Sequence, residues 1–354
     1  MKIIITGICG FIGSALARLF REQFPDWTVG GIDNLSRAGS ETNRGSLQKL
    51  GVGVTHGDIR NASDVDALPD CDWVIDAAAN PSVLAGMGDG SSSRQVVEHN
   101  LYGTVNLLEF CRARRCGLIL LSTSRVYSIK HLSEIPMEVS GSAFCPSGGD
   151  LPHGVRTSGV TEDFPTSPPV SLYGNTKLAS ENLALEYHET FGVPVWINRC
   201  GVLAGAGQFG RIDQGIYSFW INSYLRRRPL RYIGFGGEGH QVRDCLHPRD
   251  LVVLLTKQMQ AADRKKRRIV NVAGGTANSL SLAQLSDWCR ARFGALEIGR
   301  VPEARRFDVP WLVLDSSRAA EVWDWKVQTP LEAVLEEIAV HAEAHPDWLE
   351  RSEA

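Results

Sequence analysis

Apolar residues along the chain alternate between two patterns. Short runs, several of them apolar throughout, occur at 2–6 (KIIIT), 28–33 (TVGGID), 51–58 (GVGVTHGD), 72–78 (DWVIDAA), 117–124 (GLILLSTS) and 194–200 (PVWINRC). Uniformly apolar runs of this length predict strands of a parallel sheet covered on both faces. Between them, 13–24, 61–70, 98–114 and 174–191 carry apolar positions at three- and four-residue spacing, which predicts helices. Strand and helix in alternation give an α/β fold, a doubly wound parallel sheet. Beyond residue 200 the pattern loosens into glycine-rich turns (GVLAGAGQFGR), a basic YLRRRP segment and SLSLAQLSDWCRARFG, which predicts a serine-capped helix. The domain reading is a first unit over 1–200, with part of 240–275 returning to it, and a smaller α/β unit mainly over 201–354. The Gly/Ser/Pro-rich stretch from Ser140 to Pro169 is expected to be an elaborated loop.

Composition narrows the class. The 354 residues are 43% hydrophobic and 22% charged, as in a soluble globular protein. A net charge of −3 provides no general attraction to nucleic acid or to an anionic membrane. The eight cysteines stand singly without a C-x-x-C or a zinc spacing, so reduced thiols and no structural metal are expected. No apolar stretch is long enough to span a bilayer, and the N-terminal run is too short and glycine-interrupted for a signal core, which makes a cytoplasmic location the expectation.

The sharpest local signal is TGICGFIG after the first strand. Gly7, Gly10 and Gly13 permit a tight turn, a close approach to a pyrophosphate and helix packing on the sheet, with the helix N-terminus facing the phosphates. A glycine triplet alone is an ordinary turn; here a strand precedes, a helix follows, and Asp33 ends the second strand 20 residues after Gly13. A carboxylate there accepts from ribose hydroxyls and repels a 2′-phosphate, so NAD is expected over NADP, with Asn34 beside it and Arg37 nearby. Asp58, with Ile59, ends the third strand and suits the adenine, or else caps a turn.

SLYGNTKLASE places Tyr173 and Lys177 one helical turn apart and on one side. A phenol with a pKa near 10 is a poor base at neutral pH unless a cation stabilises its anion, which Lys177 and a nicotinamide would do. The bare spacing is otherwise a solvated helix face. Ser122, Thr123 and Ser124 end a strand at the sheet edge where α/β folds bind ligands, and complete the set.

These motifs resemble the extended short-chain dehydrogenase/reductase family of nucleotide-sugar epimerases and dehydratases, over nearly the whole chain: TGICGFIG, HNLYGTVNLLE, YGNTK, GHQVRDCLHPRDL and VNVAGG all match family patterns. The resemblance implies a Rossmann-like domain holding NAD through Gly7, Gly10, Phe11, Ile12, Gly13, Asp33, Asn34, Asp58, Ile59, Ala77, Ala78, Asn100, Tyr173 and Lys177. It makes Tyr173 the base, Lys177 its activator and a holder of the nicotinamide ribose, and Thr123 the binder of the substrate hydroxyl. Asn100 would position the active-site helix. Substrate contacts fall to Ser124, Arg125, Gln208, Asp213, Gln214 and Arg243, the last on the diphosphate, unless it merely pairs with Asp244 or Asp250. The segments 208–215 and 240–244 are expected to face each other across the cleft.

Within the family, DNLSRAGSETNRGSLQKLG, QFGRIDQG and GGTANSLSLAQL are similar to the CDP-paratose (CDP-tyvelose) 2-epimerase subgroup, which implies a CDP-sugar. The stretches VYS, AAANPSVLAG and RCGVLAG depart from its pattern. Dehydratases of the family carry T-D-E where this chain has Thr123, Ser124 and Arg125, so the carboxylate pair that elimination needs is absent; the glutamate of its decarboxylases is absent too. What remains is epimerisation through a transient keto-sugar, with a 4-epimerase or one-way reductase as alternatives and a non-catalytic dinucleotide sensor as a more distant one. The family's intersubunit bundle, built from the helices near Asn100 and Tyr173, implies a homodimer or homotetramer, with Val105, Leu108, Leu178, Leu183 and Tyr187 as candidate interface residues.

Overall fold

The computed structural model of the chain describes residues 1–87, 92–211, 214–261, 267–303 and 305–353. Strands β1 (Lys2–Thr6), β2 (Thr28–Asp33), β3 (Gly53–His56), β4 (Trp73–Asp76), β5 (Gly117–Thr123), β6 (Val195–Cys200) and β7 (Ile269–Val272) form one parallel sheet in the order β7-β6-β5-β4-β1-β2-β3. Six of these are the predicted runs. The seventh is supplied from residue 269 onward, and it pairs Ile197 with Ile269 and Cys200 with Val272.

Successive residues of β1 serve opposite faces, as the two-residue repeat of a strand requires. Ile3 and Ile5 pack with Leu16, Phe20, Leu251 and Leu255 of the Phe11–Gln23 and Pro248–Gln260 helices. Ile4 packs on the other side with Leu107, Leu108 and Ala184 of the Gly103–Arg114 and Ser171–Phe191 helices. The sheet is therefore covered twice, which is why its strands read as continuous apolar runs. The crossing order places the ends of β1, β4 and β5 side by side, where side chains from several strands reach one crevice.

After β6 a second, smaller core forms around Tyr217, Trp220, Ile221, Leu285, Val334 and Ile338, from the helices Ile216–Leu225, Leu282–Phe293 and Leu331–Ala344. Ser281 caps the second of these: its hydroxyl accepts from Gln284 N at 3.0 Å while the Gln284 side chain accepts from Ser281 N at 2.8 Å.

The stretch expected to be an elaborated loop carries hairpin pairing, Met137–Ser140, which begins just ahead of it, with Ala143–Pro146, and Val155–Arg156 with Gly159–Val160. Both are tied to distant backbone: Phe144 N donates to His240 O at 2.9 Å and Val160 N to Val313 O at 2.8 Å. Strands this short, held by non-local partners, leave no alternation for a sequence pattern to detect.

Candidate active site

The turn after β1 is shaped by its glycines. Gly7 adopts a φ of +61°, and a Cβ on Gly13 would stand 2.2 Å from Gly7 O, so the Phe11–Gln23 helix starts directly against the turn. Gly10 caps that helix with no side-chain partner, and no acidic residue occupies the first turn. The N-terminal amides thus face the crevice with neither a cap nor a competing anion.

Asp33 closes β2 at the edge of the same crevice. Its two oxygens accept from Cys9 N and Leu35 N, each at 2.8 Å, which ties the glycine turn to the β2 end. Asn34 donates to Asp58 at 3.0 Å, and Arg60 pairs with Asp58 at 2.7 Å. Burial alone would raise the Asp58 carboxyl, but the Arg60 and Asn34 hydrogen bonds hold it well below the usual range. A buried brace stands behind β4: Asp76 accepts from Thr6 and Thr104, and the Thr6 hydroxyl accepts from Ala77 N and Ala78 N at 3.1 and 3.0 Å.

At the end of β5, Thr123 lines the same crevice as Tyr173, and its side chain lowers the Tyr173 phenol. Tyr173 opens the Ser171–Phe191 helix, whose first turn rests on the Ser124–Val126 turn; a Cβ on Gly174 would come within 2.2 Å of Arg125 O. Glycine after the tyrosine is what lets the two elements meet. Burial pushes the phenol up to about 12, against the pull of Thr123 and Arg125. Among the charges acting on the phenol in the protein alone, the cation is Arg125.

Lys177 is 1% exposed and, among the described residues, makes no hydrogen bond or ion pair. Its charge acts on Cys200, a residue of the crevice wall. A buried ammonium without an acceptor is costly unless a ligand completes it. Asn100 braces the same helix, donating to Thr176 Oγ1 at 3.3 Å and exchanging two bonds with the Asn80 backbone.

The glycine turn, the ends of β2, β4 and β5 and Tyr173 line one cavity of about 580 Å³, a size suited to a large ligand; Lys177 and Asn100 stand behind its wall rather than on it. Its wall includes the three glycines, Phe11, Ile12, Asp33, Asn34, Asp58, Ile59, Ala77, Ala78, Thr123, Ser124, Arg125 and Tyr173. Gln208, Phe209, Arg211 and Gln214 join it from the chain beyond β6, and Arg37 from beside the β2 end. Asp213 lies outside the described residues.

The far wall differs from expectation. Gln214 accepts from Arg37 Nη1 at 3.0 Å, beside the β2 end, and Gln208 donates to Leu203 O at 2.6 Å. Arg243 is not part of this wall. Its guanidinium pairs with Asp308 at 2.7 Å and donates to Val242 O and Val309 O. Neither Asp244 nor Asp250 is its partner: Asp244 accepts from Val202 N and Leu314 N, and Asp250 from Gln328 N and Thr329 N. Among the described residues, segment 208–215 lines the cavity and 240–244 does not; Arg243 is held instead by Asp308 and Val309, which no motif marks.

Two supports escaped the sequence reading. Trp348 stacks on Phe209 at 5.3 Å and donates to Gln208 O at 2.8 Å, so the C-terminal segment holds the far wall in place. The other is a buried ion pair between Glu181 and Arg199 at 2.7 Å.

Among the interface candidates, Leu108 is fully buried in the sheet core, and Leu183 and Tyr187 pack partly against the same cluster. The exposed apolar side chains on these helices are instead Val97, Tyr102, Leu172 and Phe191.

Residues 3–273 match the profile of the NAD dependent epimerase/dehydratase family. Across 345 residues the chain is 30% identical to CDP-paratose 2-epimerase of Salmonella typhi, covering 92% of this chain and 94% of that one. It is 24% identical to UDP-glucose 4-epimerase of Corynebacterium glutamicum, over 95% of this chain and 94% of the relative. Among solved structures, UDP-glucuronic acid 4-epimerase of Bacillus cereus, in complex with UDP-glucuronic acid and NAD, superposes with a TM-score of 0.79 at 25% identity, over 97% of this chain and 99% of that chain.

Proposed function

The chain belongs to the NAD dependent epimerase/dehydratase family, and from that premise we propose that it epimerises a nucleotide-diphosphate sugar through a transient keto-sugar, in the manner of a CDP-paratose (CDP-tyvelose) 2-epimerase. The observation that carries the reading is that Tyr173 and Thr123 line one cavity with Gly7, Gly10 and Gly13. A C4 epimerisation is the second reading, favoured by the likeness to the Bacillus cereus 4-epimerase.

The residues present fit NAD. The turn around Gly7 has no room for side chains, the helix after it offers uncapped amides, Asp33 stands at the β2 end, and Lys177 is a buried cation without a partner. Gly7, Gly10 and Gly13 would take the pyrophosphate, Asp33 the adenosine ribose, and Lys177 the nicotinamide ribose. Bound NAD supplies a reversible two-electron acceptor for a sugar C–H bond. Thr123 orients the reacting hydroxyl toward Tyr173, which removes its proton and later returns one. Burial of Tyr173 and Thr123, 8% exposed each, keeps bulk water from that proton. Arg125 and Ser124 stand where a dehydratase needs carboxylates, which argues for epimerisation over elimination.

CDP as the nucleotude carrier is supported by the 30% identity to the CDP-paratose enzyme over nearly the full length. Of the stretches that depart from that subgroup, 77–86 and 199–205, residues 77–81, 83 and 200–203 lie on the cavity wall, which supports the sugar as the point where this chain differs. Incubation with a panel of CDP- and UDP-sugars, followed by chromatography and NMR of the products, tests the reading. An epimer with unchanged mass supports it; loss of water or no conversion of any sugar overturns it.

Two further parts belong to the proposal. Val97, Tyr102, Leu172 and Phe191 are exposed apolar side chains on the helices near Asn100 and Tyr173, where a second copy would pack, giving a dimer or tetramer measurable by light scattering. All eight cysteines are free, in keeping with a reducing cytoplasm.

A further inference from the structure

Three arginines line the cavity, and two are engaged. Arg37 donates to Gln214 at 3.0 Å and to Phe209 O at 3.3 Å, and Arg211 donates to Ser352 O at 2.8 Å. Arg125 differs: among the described residues its guanidinium makes no hydrogen bond and no ion pair, although only its backbone N–H is occupied, by Thr123 Oγ1 at 3.2 Å. It is partly buried and within electrostatic reach of three groups, the Arg243 guanidinium, the Asp308 carboxylate and the Tyr173 phenol.

The charges there do not balance. Asp308 is committed to Arg243 at 2.7 Å, and the two together are neutral. Arg125 therefore adds a positive charge with no counter-ion, and a second guanidinium close by makes its position less favourable still. Burial and Arg243 together lower the Arg125 guanidinium to about 10, a group that still keeps its proton at neutral pH. A planar fork of donors on the wall of a substrate cavity, charged and without an acceptor, is suited to a carboxylate or phosphate oxygen pair. Because Arg125 follows Thr123 by two residues, that acceptor lies close to the reacting hydroxyl.

We propose that Arg125 is the seat of an oxyanion of the substrate, either a carboxylate carried by the sugar or an oxygen of the nucleotide diphosphate. The proposal rests on the nucleotide-sugar reading of the cavity. In the first case Arg125 selects acidic sugars over neutral ones. In the second it holds the diphosphate from the cavity wall, where Arg243 does not stand.

The test uses the NAD-loaded enzyme carrying Tyr173→Phe, so that ligands bind without turnover, with Arg125 intact or changed to Met, Gln or Lys. Affinities for CDP, UDP, UDP-glucose and UDP-glucuronate are measured by calorimetry, with melting temperature and NAD content as controls for folding. The expected result is a loss of at least tenfold in the Met and Gln variants that Lys partly restores. A loss confined to UDP-glucuronate assigns the seat to a sugar carboxylate; an equal loss for every ligand assigns it to the diphosphate. Affinities that stay within twofold for all ligands in both neutral variants, or no binding to either form, overturn the proposal. Epimerase activity is assayed separately in the Tyr173 enzyme, so absence of epimerisation with binding still dependent on Arg125 would strike the proposed reaction and leave this inference standing.

Discussion

Glu181 and Arg199 join the Ser171–Phe191 helix to β6 through a buried ion pair, Oε2 to Nη2 at 2.7 Å. Glu181 also accepts from Ser122 Oγ at 2.5 Å, so the residue next to Thr123 and the helix bearing Tyr173 share one carboxylate. Arg199 lies 5.2 Å from the centre of the Tyr127 ring, whose hydroxyl donates to Asn271 at 2.6 Å. Three strands and the helix that carries Tyr173 are thereby fixed by one polar network.

Removing one partner leaves the other charge buried and unpaired. Arg199→Met and Glu181→Leu are each expected to cost ~3–5 kcal/mol, and the double variant less than their sum. Denaturant unfolding of the four forms measures this. Single losses below about 1 kcal/mol would show that the pair does not hold the site together.

The residues of the cofactor side were legible because their chemistry is local: a glycine turn, a strand end and a helix start lie within short stretches whose spacing carries the geometry. Tyr173 and Lys177 were legible for the same reason. Glu181, Arg199 and Ser122 were not, since each is ordinary in its own segment and becomes a network only when β5, β6 and the helix are adjacent. The partner of Arg243 was missed likewise: Asp308 is 65 residues away, whereas the acids weighed in its place, Asp244 and Asp250, stand near it in sequence but point to backbone amides. The hairpins between 137 and 160 were hidden because long-range pairing, not pattern, makes them strands.

Asp33 does two tasks, which Asp33→Ala separates. Loss of a charge-assisted bond to the ribose weakens NAD binding by about 2–3 kcal/mol, read as a dissociation constant. Loss of the acceptor for Cys9 N and Leu35 N also lowers the melting temperature without NAD. Equal wild-type affinity for NAD and NADP would contradict the assignment of the pocket.

His341 provides a pH-dependent element. It stacks on His345 at 4.1 Å and meets Trp348 at 4.6 Å, and burial followed by the His345 charge depresses it from 6.5 to about 4, against the pull of Glu337. The unfolded chain therefore binds a proton that the folded one refuses between these values. Its contribution to stability is complete above pH 6.5 and is lost as pH falls toward about 4. His341→Phe keeps the stack and should flatten the fall in melting temperature over that window; an unchanged slope would remove His341 as its source.

Arg243→Lys distinguishes a diphosphate clamp from a structural pair. Lysine can keep an ion pair with Asp308 but not the fork that also reaches Val242 O and Val309 O. If Arg243 grips substrate, KM for the CDP-sugar rises at least tenfold with NAD content and melting temperature nearly unchanged. A lower melting temperature at constant KM would leave Arg243 a scaffold residue.

Tyr173 must ionise to act as a base, yet burial holds its phenol at about 12. Thr123 and Arg125 already pull it down, so further lowering requires charge that the protein's own contacts do not apply to it. Lys177, buried and without a partner among the described residues, and the positive nicotinamide would supply that charge once the cofactor is held. Tyr173→Phe should therefore lower kcat by about 10²–10⁴ while NAD stays bound, because the ring still fills its place and only the proton acceptor is gone. Lys177→Met should do two things at once: weaken NAD binding, and move the rising limb of the kcat/KM pH profile upward, since each unit of phenol pKa is about 1.4 kcal/mol of lost stabilisation of the anion. A Tyr173→Phe enzyme within tenfold of wild type would end its assignment as base. A Lys177→Met enzyme with weaker NAD binding but an unshifted pH limb would leave the lysine a cofactor anchor and assign the activation of Tyr173 to Thr123 and Arg125.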